Sequence, residues 1–344
     1  MSREPRQSIL FIRLRSLGDT VLMTPALQVA RRAGMHTAAL VEEPFAALLK
    51  GHPHLHELLV MPSQGWAWAN RLRMLRRLRR LSFDLVVDLH GGSTAALLTR
   101  FSGARRRVGY ASARFKDWYD VKTPDSRQLW NNRPVHTVEH QLSPLLHLGL
   151  PVEPIPQLHL PVDEGALAYV EQLLTASGFS DRSFALIHPA AAFDTKQWAA
   201  RHFAEIGDRL QERFKLPVAV TAGPGEKVLV EEVGALMKRR PLLIEPLPLD
   251  RFAALVSRCA LYLGNDSGPM HMAAAFKRPV VAVFGSSDWR VWRPWNTPHR
   301  LIKADLPCIP CPGYTCHLYD QPRCIRSIGV DQVWQAVEEL ADTI

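Results

Sequence analysis

The sequence predicts an α/β protein of two doubly wound, Rossmann-like domains, and three observations carry that prediction. Short apolar runs rich in β-branched residues alternate with helix-length amphipathic stretches along the chain, the pattern of parallel sheets covered by helices. The length, 344 residues, suits two domains at about 100–200 residues each. Near the middle, "GLPVEPIPQLHLPVDEG" (149–165) is rich in proline, which neither continues a helix nor sits in a central strand. The expected domains are residues 1–155 and 156–344, facing each other across a cleft.

Bulk numbers narrow the function. A hydrophobic share of 47% with 22% charged residues is ordinary for a soluble globular protein. No apolar run of about 18 residues and no signal-peptide pattern occurs, so a cytoplasmic protein that does not span a membrane is expected. Lys and Arg outnumber Asp and Glu by 42 to 33, which points to acidic partners: nucleotides, phosphorylated lipids or an anionic membrane face. Nucleic acid ranks below these, because no recognised binding module appears. With five cysteines, a disulfide framework is disfavoured in a compartment that keeps thiols reduced.

In the first half the strand candidates are "ILFIRL" (9–14), "TAALV" (37–41), "HELLVM" (56–61) and "DLVVDLH" (84–90). The turn after the first strand, within "FIRLRSLGDTVLMTPAL", has one glycine and Asp19 where dinucleotide-binding turns place several glycines. A carboxylate at that helix start would repel a diphosphate, so the nucleotide is expected elsewhere. Asp19 reads either as a helix cap or as an ionised carboxylate facing the cleft, stabilised by the helix start. Further on, "RLRMLRRLRRL" (71–81) spaces Leu72, Leu75, Leu78 and Leu81 three apart among Arg71, Arg73, Arg76, Arg77, Arg79 and Arg80. It reads as an amphipathic basic helix for an anionic membrane surface or a phosphorylated glycolipid, or as a solvated face. Arg105, Arg106 and Arg107 are candidates to join that acceptor site.

In the second half the candidates are "FALIHP" (184–189), "LPVAVTAG" (216–223), "PLLIEP" (241–246), "ALYLGND" (260–266) and "RPVVAVFG" (278–285). Ligands of open parallel sheets bind beyond the carboxyl ends of the strands, so the loops that follow carry the chemistry. In "NDSGPMHM" Ser267 and Gly268 open a helix whose start suits an anion, and His271 falls on the same face as Ser267. Asp266 and Ser267 as plain caps and His271 as a satisfied helix histidine are the alternative. Lys196, in "HPAAAFDTKQW", is placed for a phosphate or is simply solvated. "TAGPGEK" offers Glu226 to ribose hydroxyls, or is a glycine turn with an exposed acid. Cys308, Cys311, Cys316 and Cys324 follow C-x2-C-x4-C-x7-C, which admits a structural zinc, reduced packing thiols or disulfides.

Together, "RLRSLGDTVLMTPAL", "DLVVDLHGG", "HPAAAFDTKQW", "NDSGPMHMAAAFKRPVVAVFGSSD" and the cysteine loop resemble the heptosyltransferases of glycosyltransferase family nine, enzymes of lipopolysaccharide core synthesis, nearly end to end. The resemblance implies the GT-B fold, an ADP-heptose donor held by the C-terminal domain and a lipopolysaccharide core or lipid A precursor acceptor held by the N-terminal domain. A last helix packed back on the N-terminal domain is also expected. The resemblance makes Lys196 a diphosphate ligand, sets Asp266, Ser267, Gly268 and His271 around the sugar-diphosphate, Leu247 near the adenine, and makes Asp19 the general base. Where some members carry hydroxyl residues before the lysine, this chain has Ala191 and Ala192. The implied activity is inverting transfer of heptose that requires no cofactor, and the basic helix adds the expectation of a cytoplasmic enzyme peripheral on the inner face of the cytoplasmic membrane. The rival is a non-catalytic nucleotide-sugar or anionic-glycan binding protein; a Rossmann oxidoreductase is disfavoured, since no G-x-G-x-x-G follows a strand.

Overall fold

Two all-parallel six-stranded sheets organise the chain. The first comprises β1 (Ser8–Ile12), β2 (His36–Glu42), β3 (Glu57–Met61), β4 (Leu85–Asp88), β5 (Arg106–Tyr110) and β6 (Val121–Thr123), in the order β3-β2-β1-β4-β5-β6. The second comprises β7 (Ala185–His188), β8 (Val218–Thr221), β9 (Leu242–Ile244), β10 (Leu261–Asn265), β11 (Val280–Phe284) and β12 (His299–Lys303), in the order β12-β11-β10-β7-β8-β9. The computed structural model describes residues 7–63, 68–179, 184–311 and 314–340. The chain divides into two compact units, Met1–Pro161 and Val162–Ile344.

Each sheet is covered on both faces by helices, so its central strands are apolar throughout rather than alternating. β10 (LYLGN) and β11 (VVAVF) are buried along their whole length, and Phe11 of β1 pairs with Ala39 on one side and Val87 on the other. The sequence signal missed β5, β6 and β12. Two of these are edge strands, and all three carry charged residues (RRVGY, VKT, HRLIK) that dilute the apolar run. Gly109 lets β5 pass under Tyr119: a Cβ there would overlap the tyrosine ring.

The proline-rich segment is not slack chain. Val152, Leu158 and Leu160 are buried, Arg32 Nη1 donates to the Pro154 carbonyl at 3.2 Å, and His159 N–H donates to Thr24 Oγ1 at 3.1 Å. The last described helix, Val330–Glu338, packs on its own sheet through Val333, Ala336 and Val337, at one-turn spacing. No helix among the described residues is long and apolar enough to cross a membrane.

The basic helix, Trp68–Leu81, corrects a pattern reading. Its buried residues are Met74 and Leu78, with Leu75 partly buried on the same core, whereas Leu72 and Leu81 are 48% and 37% exposed. A stride of three on a 3.6-residue turn slips about 60° per step, so four such leucines spiral half-way round the helix. Leu78→Ala should therefore cost about 2–5 kcal/mol by urea unfolding, and Leu72→Ala no more than about 0.5 kcal/mol. Equal losses would overturn this assignment of the buried face.

Candidate active site

Chain order and sheet order part company at one place in each sheet. β1 lies between β2 and β4, and β7 lies between β8 and β10, so the loops after β1 and β4, and those after β7 and β10, diverge and leave a crevice. Asp19 follows β1 and His90 follows β4; Lys196 follows β7 and Asp266 follows β10.

Asp19 is the third residue of the helix Leu17–Leu22. The Arg13 guanidinium, at the end of β1, pairs with it and also donates to the Leu89 carbonyl. Ser16 donates to Asp19 Oδ2 through its N–H at 3.3 Å and its hydroxyl at 3.0 Å, while Gln141 Nε2 donates to the Asp19 carbonyl at 3.2 Å. Burial pulls the Asp19 carboxyl upward, but Arg13 and Ser16 together outweigh it and hold the carboxyl below its ordinary value. Burial, with Arg13, pushes His140 down to about 4, and His90 is lowered chiefly by burial, so both imidazoles are neutral at pH 7 and Arg13 is the cation that faces Asp19. Asp88 has a different task. Its Oδ1 accepts from the N–H groups of His90 (2.9 Å) and Gly91 (2.8 Å), and its Oδ2 from the Tyr119 hydroxyl (2.7 Å), which fixes the loop that presents His90.

In the second unit Lys196 Nζ sits 2.8 Å from Asp266 Oδ2, with side chains 22% and 4% exposed. Lys196 ends the 3₁₀ turn Asp194–Lys196, and that turn is clamped from several sides. Ser286 donates to the Thr195 carbonyl through N–H (3.2 Å) and to Thr195 Oγ1 through its hydroxyl (3.0 Å); Cys324 Sγ approaches the same carbonyl at 3.7 Å. Gly285 is required there, since a Cβ would overlap the Thr195 carbonyl oxygen. Asn265, fully buried, accepts from Trp198 N–H at 3.1 Å and donates to the Pro189 carbonyl at 2.8 Å, tying the lysine loop to β10. Ser267 begins the helix Gly268–Ala275 without spending its hydroxyl on a cap, and His271 is buried in the first turns. Glu226 Oε2 accepts from Gly223 N–H at 2.8 Å, closing its own loop after β8. Leu247 is half-buried after β9. Lys196, Glu226, Leu247 and Asp266–Gly268 thus line the carboxyl ends of four adjacent strands, β10-β7-β8-β9.

Other expected residues do not gather. Arg106 and Arg107 start β5, in register with Leu85 and Val86 at the amino-terminal edge of the sheet, opposite the edge that carries Asp19. Arg107 is forked onto Asp120 at 2.6 and 2.8 Å, and Arg105 pairs with Asp84 at 3.3 Å. These three arginines therefore belong to the strand start, not to a site shared with Asp19. Arg71, Arg73, Arg76, Arg77 and Arg80 ride a helix that runs back against the strands, so Arg71 starts near the Asp19 edge and Arg80 ends about 14 Å along the axis from it. Arg77 is engaged with Glu57 at 3.1 Å. All four loop cysteines are free thiols, and among the described residues no group of three or more His, Cys, Asp or Glu is placed to hold a metal ion. Cys324 is turned instead onto the Thr195 carbonyl.

Sequence reading missed Arg13, Gln141 and Asn265. Arg13 lies six residues before Asp19 in the quoted stretch, and an arginine at a strand end beside an acidic helix start is a signal that was legible. Gln141 arrives from the distant helix Thr137–His147 and carried none.

The family model described as Glycosyltransferase family 9 (heptosyltransferase) matches residues 71–320. A lipopolysaccharide heptosyltransferase 3 of Escherichia coli is 27% identical over 82% of this chain and 84% of its own length. Among solved structures, a glycosyl transferase family 9 protein from Veillonella parvula superposes with TM-score 0.86 at 23% identity, covering 99% of each chain. The E. coli ADP-heptose lps heptosyltransferase II superposes with TM-score 0.78 at 21% identity, over 97% and 98%. These likenesses show the GT-B fold.

The Arg13–Asp19 pair makes a prediction with a definite sign. Its depressed carboxyl stabilises the fold at pH values above the unfolded-state pKa, and that contribution is lost as pH falls through the folded value. In Arg13→Gln, burial is opposed only by the two Ser16 hydrogen bonds, so the Asp19 carboxyl carbon followed by NMR should titrate at higher pH than in the parent. An unchanged titration would remove Arg13 from this role.

Proposed function

We infer the reaction from one premise: the chain belongs to glycosyltransferase family 9, the heptosyltransferases. The reading is transfer of heptose from ADP-heptose to a hydroxyl of the lipopolysaccharide inner core, with one inversion at the anomeric carbon. The observations that carry it are an ionised carboxylate at the β1/β4 strand ends of the first unit and, in the second unit, a lysine and a helix start at the β7/β10 strand ends. The first suits proton removal and the second a leaving diphosphate, which is more than a binding module needs.

In this reading the acceptor hydroxyl gives its proton to Asp19 while its oxygen attacks the anomeric carbon and the bond to the β-phosphate breaks. Lys196 and the start of the helix at Gly268 meet the charge that develops on ADP. Asp266 holds Lys196 until donor arrives and then accepts from a sugar hydroxyl, with Ser267 and His271 beside it. Leu247 packs against the adenine, and Glu226 accepts from the ribose. No cofactor enters this scheme, because these protein groups supply the charge compensation.

Asp19→Asn and Lys196→Ala test it as a pair. Asparagine keeps the shape but takes no proton, so turnover should fall about 10²–10⁴-fold with ADP-heptose affinity within a few-fold of the parent. Lys196→Ala should weaken donor binding by about 1.5–3 kcal/mol, the size of a charge-assisted contact. Parental turnover in the first variant would reduce Asp19 to a helix residue. Parental donor affinity in the second would remove Lys196 from the diphosphate.

The acceptor is anionic, and the outward face of the helix Trp68–Leu81 is proposed to hold the enzyme at the anionic inner membrane surface where that acceptor lies. Arg73, Arg76 and Arg80 are exposed there beside Leu72, and Trp68 is 67% exposed in the first turn. Reversing Arg73, Arg76 and Arg80 to Glu should weaken binding to anionic vesicles by about 1 kcal/mol for each lost contact, most clearly at low salt. Vesicle binding equal to the parent's would leave this face merely solvated.

A further inference from the structure

Beside Lys196 stands a pair of aromatic rings that the scheme above does not use. Phe193, three residues before the lysine, stacks on Tyr314 with centroids 4.0 Å apart and planes at 26°. Lys196 Nζ lies 6.0 Å from the centroid of the Phe193 ring. Tyr314 comes from the cysteine loop and is 65% exposed, while Phe193 is half-buried. Neither ring belongs to the second unit's apolar core.

The loop that delivers Tyr314 is anchored at the same turn. Cys311 N–H donates to the Ser286 carbonyl at 2.7 Å, and Ser286 in turn bonds Thr195 next to the lysine. The aromatic pair is therefore tied to the phosphate-binding turn by backbone.

Sheet order says what reaches these rings. In the donor reading, adenine lies after β9, ribose after β8 and diphosphate after β7 and β10. The row β9-β8-β7-β10 continues to β11, and the loop after β11 holds Ser286, the anchor of the Tyr314 loop. The group that follows the diphosphate in the donor is the transferred sugar. A pyranose ring presents apolar C–H groups on its faces, weakly positive, which suit the negative face of an aromatic ring, and leaves its hydroxyls free for Asp266.

We propose that the Phe193–Tyr314 pair is the platform for the transferred sugar ring of the donor, making the cysteine loop a determinant of which sugar is accepted. This rests on the donor reading given above. The test is calorimetric titration of the full chain, without acceptor, with ADP and with ADP-heptose. Tyr314→Ala should leave the ADP Kd at the parent's value and weaken ADP-heptose by about tenfold, the effect of losing one aromatic face. Phe193→Ala should discriminate in the same direction, and Tyr314→Phe, which keeps the ring, should restore parental ADP-heptose affinity. Equal weakening of both ligands in Tyr314→Ala, or of neither, overturns the platform while leaving the donor reading in place. A parent that binds neither ligand overturns the donor reading, and the platform with it.

Discussion

A parallel sheet sends every strand's carboxyl end to the same edge, and the position of each reactive group in this protein follows from that constraint. Asp19 and His90 stand at the edge reached by β1 and β4, and Lys196 and Asp266 at the edge reached by β7 and β10. These are the places where the winding of each sheet reverses, so adjacent loops diverge and a ligand can lie on backbone. The same geometry excludes Arg105, Arg106 and Arg107 from Asp19's surroundings, because they begin a strand instead of ending one.

Charge is handled by pairing. Asp19 is held by Arg13 and Asp266 by Lys196, so each carboxylate has a counter-charge within its own unit. Removing one partner of a buried pair leaves an uncompensated charge, at a cost of about 3–5 kcal/mol when desolvation is complete. Arg13 lets a largely buried carboxyl remain ionised. Lys196 is more exposed than Asp266, which leaves its ammonium accessible to an incoming anion. The turn that carries it is fixed by Gly285, Ser286 and Asn265, so the charge is presented on rigid backbone.

Much of this was legible before any coordinates. Alternating apolar runs identified the central strands because those strands are buried on both faces, and β5, β6 and β12 escaped because charged residues dilute their apolar runs. Asp19 stood out because a carboxylate occupies a helix start where a phosphate-binding turn would have glycine. Lys196, Ser267 and Gly268 stood out because they follow strands. The leucines at a stride of three misled, since a helix buries residues by its 3.6-residue turn, and Leu72 and Leu81 lie away from the core. The cysteine spacing left zinc, packing thiols and disulfides open, and folding leaves the four loop cysteines as free thiols with Cys324 directed at a backbone carbonyl.

By itself, then, the sequence determined the two parallel α/β sheets, the family resemblance and the strand-end loops that carry charge, because these depend on local periodicity and on which residue types follow a strand. Tertiary structure decided which charges meet. Lys196 and Asp266 are joined across β7 and β10 although 70 residues separate them, Gln141 reaches Asp19 from 122 residues away, and Tyr314 meets Phe193 from a separate loop. Such contacts are set by strand order and by the backbone clamps between loops, and no local pattern records a partner that folding alone brings within reach.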